Sequence, residues 1–198
     1  MKLYFVTRNE AKIEEVADFF RLSSAPGCDS VTLCPVRADV QEILNPDLEE
    51  VVRSKALEAY KIVRQPCIVE HGGLFFTGAQ EFPGVFGRII WRALQDRMCD
   101  FLREGESRQA AARACLGYCD GKQIKFYLGE TRGEMALKAR GDYNRNSWDP
   151  IFIPDGSVQT YGEMGVELKR ATSPMMRAWE LFMADVGPRL ASAARGRG

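Results

Sequence analysis

Cys67-Ile68-Val69-Glu70-His71-Gly72-Gly73-Leu74-Phe75-Phe76, followed by Glu81-Phe82-Pro83-Gly84, is the stretch whose reading decides the fold. A β-branched run stops at an acid, an imidazole and two glycines. This is the pattern of a buried strand that delivers polar side chains to a tight turn at its carboxyl end. In open α/β sheets ligands sit outside the carboxyl ends of strands, so the stretch points to the fold class and to the place of a site together. His71 is the only histidine in the chain, and it reads as a base, a ligand or the relic of a lost function.

Upstream, Leu48, Val51, Val52, Lys55, Ala56 and Ala59 recur at helical spacing through Val63, and Gln65-Pro66 stops that helix before the strand. Glu49 and Glu50 fall in its first turn, where the helix dipole favours carboxylates, and that preference accounts for both without any further role. The segment before it, residues 41–47, is irregular and polar. At the amino end Lys2-Leu3-Tyr4-Phe5-Val6 reads as a first strand, and Ile13, Val16, Ala17 and Phe20 mark an amphipathic helix after the turn Thr7-Arg8-Asn9. Thr7 or Asn9 can cap that helix, with Lys12 close to its free N–H groups. The same residues serve an ordinary capped helix with a solvated lysine or a phosphate-binding turn. A second strand is expected over residues 31–34.

Downstream, residues 85–102 carry Phe86, Ile89, Ile90, Ala93, Leu94, Met98 and Phe101 at helical spacing, and Arg88, Arg92 and Arg97 read as a solvated basic face. Two strands over residues 112–119 and 123–131 are joined by Asp120-Gly121, a strong hairpin signal. Residues 134–146 form a polar loop, and a short strand pinned by Pro150 and Pro154 follows. A last helix is expected over residues 173–186, with Pro174 in its first turn. The small, basic residues 191–198 read as a disordered tail, leaving a single domain over residues 1–190.

The charges set limits on function. Twenty-seven basic and twenty-seven acidic side chains cancel, so no overall field draws the protein to nucleic acid or anionic lipid, and neither is expected as a partner. No apolar run approaches the roughly 18 residues of a membrane span, and the amino terminus is too short for a signal-peptide core, so a cytoplasmic protein is expected. Six cysteines without a CxxC pair read as reduced, mostly buried thiols.

In order along the chain, these stretches resemble the inosine triphosphate pyrophosphatase (ITPase) family. Thr7-Arg8-Asn9-Glu10-Ala11-Lys12-Ile13-Glu14-Glu15 is similar to its T-x-N-x-x-K-x-x-E motif, and residues 50–59 to its acidic helix start followed by a lysine. Residues 69–74 with Phe82-Pro83-Gly84 resemble E-D-[ST]-x-L…PG. Trp148, Asp149, Pro150, Phe152, Thr160, Tyr161, Glu163 and Met164 match F-G-[YW]-D-P-x-F…T-[YF]-A-E-M. The resemblance implies a two-lobed α/β fold, with a long mixed sheet flanked by helices and a central cleft. It also implies a homodimer that hydrolyses ITP, dITP or XTP to the monophosphate and pyrophosphate with Mg²⁺ or Mn²⁺. Carried over by position, Thr7, Asn9, Lys12 and Lys55 meet the phosphates, and Trp148 and Asp149 lie against the nucleoside. Lys169 stands for the lysine before the family's S-H-R. Glu50, Glu70 and His71 stand at metal-associated positions, with His71, Glu70 and Lys12 at the catalytic ones.

The chain departs from the family where the chemistry belongs. His71 stands for the family's aspartate, Asn146-Ser147 for F-G, and Ser173-Pro174-Met175 for S-H-R. Mg²⁺ takes oxygen ligands, so imidazole is a poor substitute for that aspartate. Three readings follow: a pyrophosphatase with His71 as base; a nucleotide sensor or regulatory subunit acting with an effector protein, for example in antiphage defence; or a pyrophosphatase with shifted base specificity.

Overall fold

The computed structural model describes residues 1–142 and 146–195, with side chains described as far as residue 189. The elements in order are β1 (Lys2–Val6), α1 (Glu10–Leu22), β2 (Thr32–Val36), α2 (Leu48–Val63), β3 (Cys67–Phe76), β4 (Pro83–Gly84), α3 (Gly87–Leu94), β5 (Gln109–Cys119), β6 (Ile124–Met135), β7 (Phe152–Pro154), α4 (Val166–Thr172) and α5 (Pro174–Arg195). The strands form one mixed seven-stranded sheet in the order β2-β1-β3-β5-β6-β7, with β4 pairing β3. β1 runs parallel to β2 and β3, whereas β4 and β7 pair antiparallel with β3 and β6. No described helix is long and apolar enough to cross a membrane.

The chain divides into two compact units, with the boundaries falling inside or beside β3, β5 and β6. The first comprises residues 1–71, 115–129 and 175–198. Its α2 buries Val51, Val52, Ala56 and Ala59 against Val6, Cys67, Val69, Cys115 and Cys119, so four of its apolar residues recur on one face as their spacing requires. A second cluster in this unit is aromatic: Trp179 meets Phe5, Phe20 and Phe182 edge to face. All six thiols are free and five are buried, as expected from the sequence. Burial raises Cys67 and Cys115 to about 12, so these thiols stay protonated and act as small apolar groups.

The second unit comprises residues 72–114 and 130–174. Its core joins Leu74 and Phe76 of β3, Trp91 of α3, Met98, Leu102, Ala112 of β5, Met135 of β6, and Ile151, Phe152 and Tyr161. The β5–β6 hairpin turns at Asp120-Gly121, where the Asp120 carboxylate accepts from the N–H groups of Lys122 and Gln123 at 2.8 and 2.9 Å.

The structure corrects several expectations. β3 does not end at Glu70 but continues through His71, Gly72 and Gly73 to Phe76. The glycines mark a close passage rather than a turn: a Cβ on Gly73 would sit 2.5 Å from the Gly84 carbonyl oxygen of β4. The turn comes later, with Gln80 and Glu81 in left-handed backbone. The helix expected over residues 85–102 is α3 followed by a 3₁₀ segment, Gln95–Phe101. The Gln95 amide donates to the Trp91 carbonyl at 2.8 Å and so closes the helix end. α4 was not anticipated because it buries none of its residues, with Val166 and Leu168 exposed, and so carries no apolar stripe. α5 runs to Arg195, through five residues of the expected tail, where alanines favour helix; residues 196–198 of that tail lie outside the described residues.

Candidate functional site

In the first unit, β1 ends at Val6, and Thr7-Arg8-Asn9 leads into α1. Asn9 occupies the N-cap position with extended backbone, but its side chain makes no capping bond, and its N–H donates to the Thr7 hydroxyl at 3.2 Å. Neither side chain therefore caps the helix, and the turn is held by a local bond instead. Lys12, in the first turn of α1, reaches the Glu70 carboxylate in direct contact. Glu70 is 3 % exposed at its side chain. A carboxylate so deep in a strand requires a cation or several donors, and Lys12 supplies the charge.

Lys55, on the buried side of α2, donates to the Glu70 backbone carbonyl at 3.1 Å and to the Glu42 carboxylate at 2.7 Å. His71 brings Nδ1 to 3.6 Å from the same Glu42 oxygen, an ion-pair distance. The imidazole first, and then the charge of Lys55, hold the Glu42 carboxyl well below the usual carboxylate range against the opposing effect of burial. Burial pulls the Lys55 ammonium down, opposed chiefly by Glu42. Two ammonium groups, two carboxylates and an imidazole thus form one cluster.

Of the residues singled out from sequence, the structure gathers Lys12, Lys55, Glu70 and His71, with Thr7 and Asn9 in the turn that leads to Lys12. Glu50 is placed otherwise: half-exposed in the first turn of α2, its carboxylate meets Arg53 at 3.1 Å. The carboxylate that joins Lys55 and His71 is Glu42, which sequence reasoning left unremarked in an irregular polar segment. A loop residue has no periodicity to flag it. Among the described residues no three His, Cys, Asp or Glu side chains converge as a metal cage. Mg²⁺ is usually held by one or two carboxylates, several waters and the substrate's own phosphates. Glu70 and Glu42 are oxygen donors suited to that ion, whereas the imidazole of His71 is not.

The second unit holds the other residues. Trp148 precedes the 3₁₀ turn Asp149–Ile151, and its ring stacks on Tyr161 at 6.5 Å and meets Phe152 edge-on at 5.8 Å. Asp149 contacts the Lys169 ammonium, which α4 also places 5.9 Å over the Tyr161 ring. The Tyr161 hydroxyl donates to the Thr172 carbonyl at 2.7 Å. The Thr160 N–H donates to Glu163 at 2.8 Å, and its hydroxyl to the Arg140 carbonyl at 2.9 Å. Gly141 and Gly162 meet so closely that a Cβ on Gly141 would lie 2.1 Å from Gly162. Thr160, Tyr161 and Glu163 thus clamp the segment against which Trp148 and Asp149 are set.

The departures also have structural consequences. Met175, which by the resemblance stands where the family's S-H-R has its arginine, is buried, as suits an apolar thioether. Asn146 accepts from Arg92 Nε at 3.0 Å and Nη2 at 2.5 Å. Arg92 is therefore a paired residue, not part of a purely solvated basic face.

Comparison with known proteins agrees with this architecture. The chain is 34 % identical to a dITP/XTP pyrophosphatase of Pyrococcus horikoshii, over 92 % of this chain and 95 % of that protein. It is 33 % identical to an inosine triphosphate pyrophosphatase of Scheffersomyces stipitis, over 88 % and 92 %. The Staphylococcus aureus Ham1 protein shares the fold with a TM-score of 0.77 at 19 % identity, over 96 % of this chain and 100 % of that one. Residues 3–185 match the Ham1 family model, and the chain belongs to the Ham1 family.

Proposed function

We propose that the protein is a purine nucleoside triphosphate pyrophosphatase that hydrolyses ITP, dITP or XTP to the monophosphate and pyrophosphate. The observation that carries this reading is the joining of Lys12, Lys55, Glu42, Glu70 and His71 in one cluster beside the Thr7-Asn9 turn. Supporting it are relatives over most of the chain named for dITP/XTP and inosine triphosphate pyrophosphatase activity.

In this reading Lys12 and Lys55 exchange their carboxylate partners for phosphate oxygens, and the Thr7-Arg8-Asn9 turn contributes polar groups at the start of α1. Glu70 and Glu42, relieved of the lysines, are the carboxylates that would hold Mg²⁺ or Mn²⁺, with Glu50 and His71 the weaker candidates. When bound, such an ion supplies charge neutralisation at the phosphates and lowers the pKa of a coordinated water. His71, its Nδ1 turned to Glu42, is set to take the proton of the attacking water at Nε2. The water oxygen forms the new bond to the α-phosphorus, and the bond from that phosphorus to the β-bridging oxygen breaks, releasing pyrophosphate. Trp148, Asp149 and Lys169 are the residues proposed to meet the nucleoside, through an aromatic face and a fixed ion pair.

The test is pyrophosphate release over a panel of ITP, dITP, XTP and GTP with Mg²⁺ and with Mn²⁺, beside His71→Ala and His71→Asp. Turnover that is lost in His71→Ala supports the assignment. No binding or turnover of any of the four overturns it. One observation favours a second reading, a nucleotide-binding sensor or regulatory subunit that acts with an effector protein: an imidazole stands where the resemblance expects a metal-binding aspartate. Binding without turnover, with activity gained in His71→Asp, would select that reading. Action as a cytoplasmic homodimer is proposed from the resemblance, and sedimentation equilibrium measures the oligomer.

A further inference from the structure

We propose that Glu70 and Glu42 act as internal anions that close the phosphate site of the ligand-free protein, so that metal-free phosphate anions, the pyrophosphate product among them, are refused. This rests on the assignment of Lys12 and Lys55 to the phosphates. Each of the two lysines is already held by a carboxylate of the same cluster, Lys12 by Glu70 and Lys55 by Glu42. Little water competes for either pair, since the Glu70 side chain is 3 % exposed and that of Lys55 11 %. Lys55 also donates to the Glu70 carbonyl oxygen at 3.1 Å, so two of its three N–H groups are engaged and its ammonium is fixed toward β3.

The charges of the two ammonium groups and the two carboxylates cancel, so an anion that enters alone meets little net attraction. It must break a lysine–carboxylate pair, and it leaves beside itself a carboxylate without its cation where burial makes that costly. The apparent affinity of a site falls with the fraction of molecules in which it is open. Pairs closed in about nine-tenths of the molecules lower it about tenfold. A divalent cation held by Glu70 and Glu42 would free both lysines, so cation and anion raise each other's affinity on the protein. The two carboxylates thus decide which form of the nucleotide is admitted, and by reclaiming the lysines they help pyrophosphate to leave.

The rival account is that removing any negative charge near the start of α1 strengthens anion binding. Glu10→Gln separates the two, because it makes the same change of charge in the first turn of α1, yet the Glu10 carboxylate is held by Arg37 at 2.6 and 2.8 Å and not by a lysine of the cluster. Dissociation constants for pyrophosphate and ITP are measured by calorimetry with EDTA present at about 0.15 M salt. The proteins compared are the unmodified chain, Glu42→Gln, Glu70→Gln and Glu10→Gln, with thermal melts alongside. Glu42→Gln and Glu70→Gln are expected to bind both anions about tenfold more tightly than the unmodified protein, and Glu10→Gln to stay within about twofold of it. If Glu70→Gln does not fold, Glu42→Gln decides alone. Unchanged or weaker binding in Glu42→Gln, or an equal gain in Glu10→Gln, overturns the proposal while binding of ITP with Mg²⁺ stands. Failure of the unmodified protein to bind ITP, dITP, XTP and GTP with Mg²⁺ overturns the nucleotide reading itself, and the closed site with it.

Discussion

Replacing Glu42 with glutamine keeps the shape of the side chain and removes one charge from the Lys12-Lys55-Glu70-His71 cluster. Lys55 Nζ lies 2.7 Å from the Glu42 oxygen and its side chain is 11 % exposed, so the ammonium has little water to fall back on. Breaking a buried pair by removing one partner costs about 3–5 kcal/mol. Glu42 is itself a third exposed, and a glutamine oxygen can still accept from Lys55. The loss is accordingly reduced to about 1–2 kcal/mol. For a chain of this size that lowers the melting temperature by about 3–6 °C. The pH dependence has a definite sign. The folded-state pKa of Glu42 is depressed, so its contribution is complete above the unfolded carboxyl value of about 4.3 and disappears as pH falls below it. The assay is urea denaturation of both proteins from pH 3 to pH 8. The gap in stability should be full at pH 7 and narrow through the acid range. Equal stability at pH 7, or a gap that persists unchanged to pH 3, would refute the assignment of Glu42 as the partner that keeps Lys55 charged.

Lys12→Met leaves the Glu70 carboxylate buried without its cation and should cost about 3–5 kcal/mol by urea denaturation; Lys12→Met with Glu70→Gln should recover most of that loss without restoring nucleotide affinity by calorimetry. Gly73→Ala places a methyl 2.5 Å from the Gly84 carbonyl oxygen, and the forced separation of β3 and β4 should lower stability by about 1–3 kcal/mol in the same assay. Tyr161→Phe removes the hydrogen bond to the Thr172 carbonyl but keeps the ring stacked on Trp148, so a loss of about 1 kcal/mol is expected, measured by thermal melt.

Elements with a buried face were legible in advance. α2 has the expected bounds because Val51, Val52, Ala56 and Ala59 repeat at helical spacing and all four are buried. The β5–β6 hairpin was marked by Asp120-Gly121, whose carboxylate and left-handed glycine close the turn. α4 was not legible because a helix that buries nothing leaves no period to read. β3 was cut short because Gly72-Gly73 looks the same in sequence whether it turns the chain or admits a neighbouring strand. Only the approach of Gly84 distinguishes the two.

The candidate site divides in the same way. From the sequence alone came the amphipathic elements, the buried thiols, the resemblance to the ITPase family, and through it Lys12, Lys55, Glu70, His71, Trp148, Asp149 and Lys169. Periodicity and short motifs are properties of adjacent residues, so one chain suffices to show them. The tertiary structure decided the partners. Lys12 meets Glu70 across 58 residues, Arg92 meets Asn146 across 54, and Lys55 and His71 share Glu42 from a loop with no pattern of its own. Which charge neutralises which is settled by the distance between side chains and by the water that burial removes. Neither quantity is defined until distant segments have been brought together.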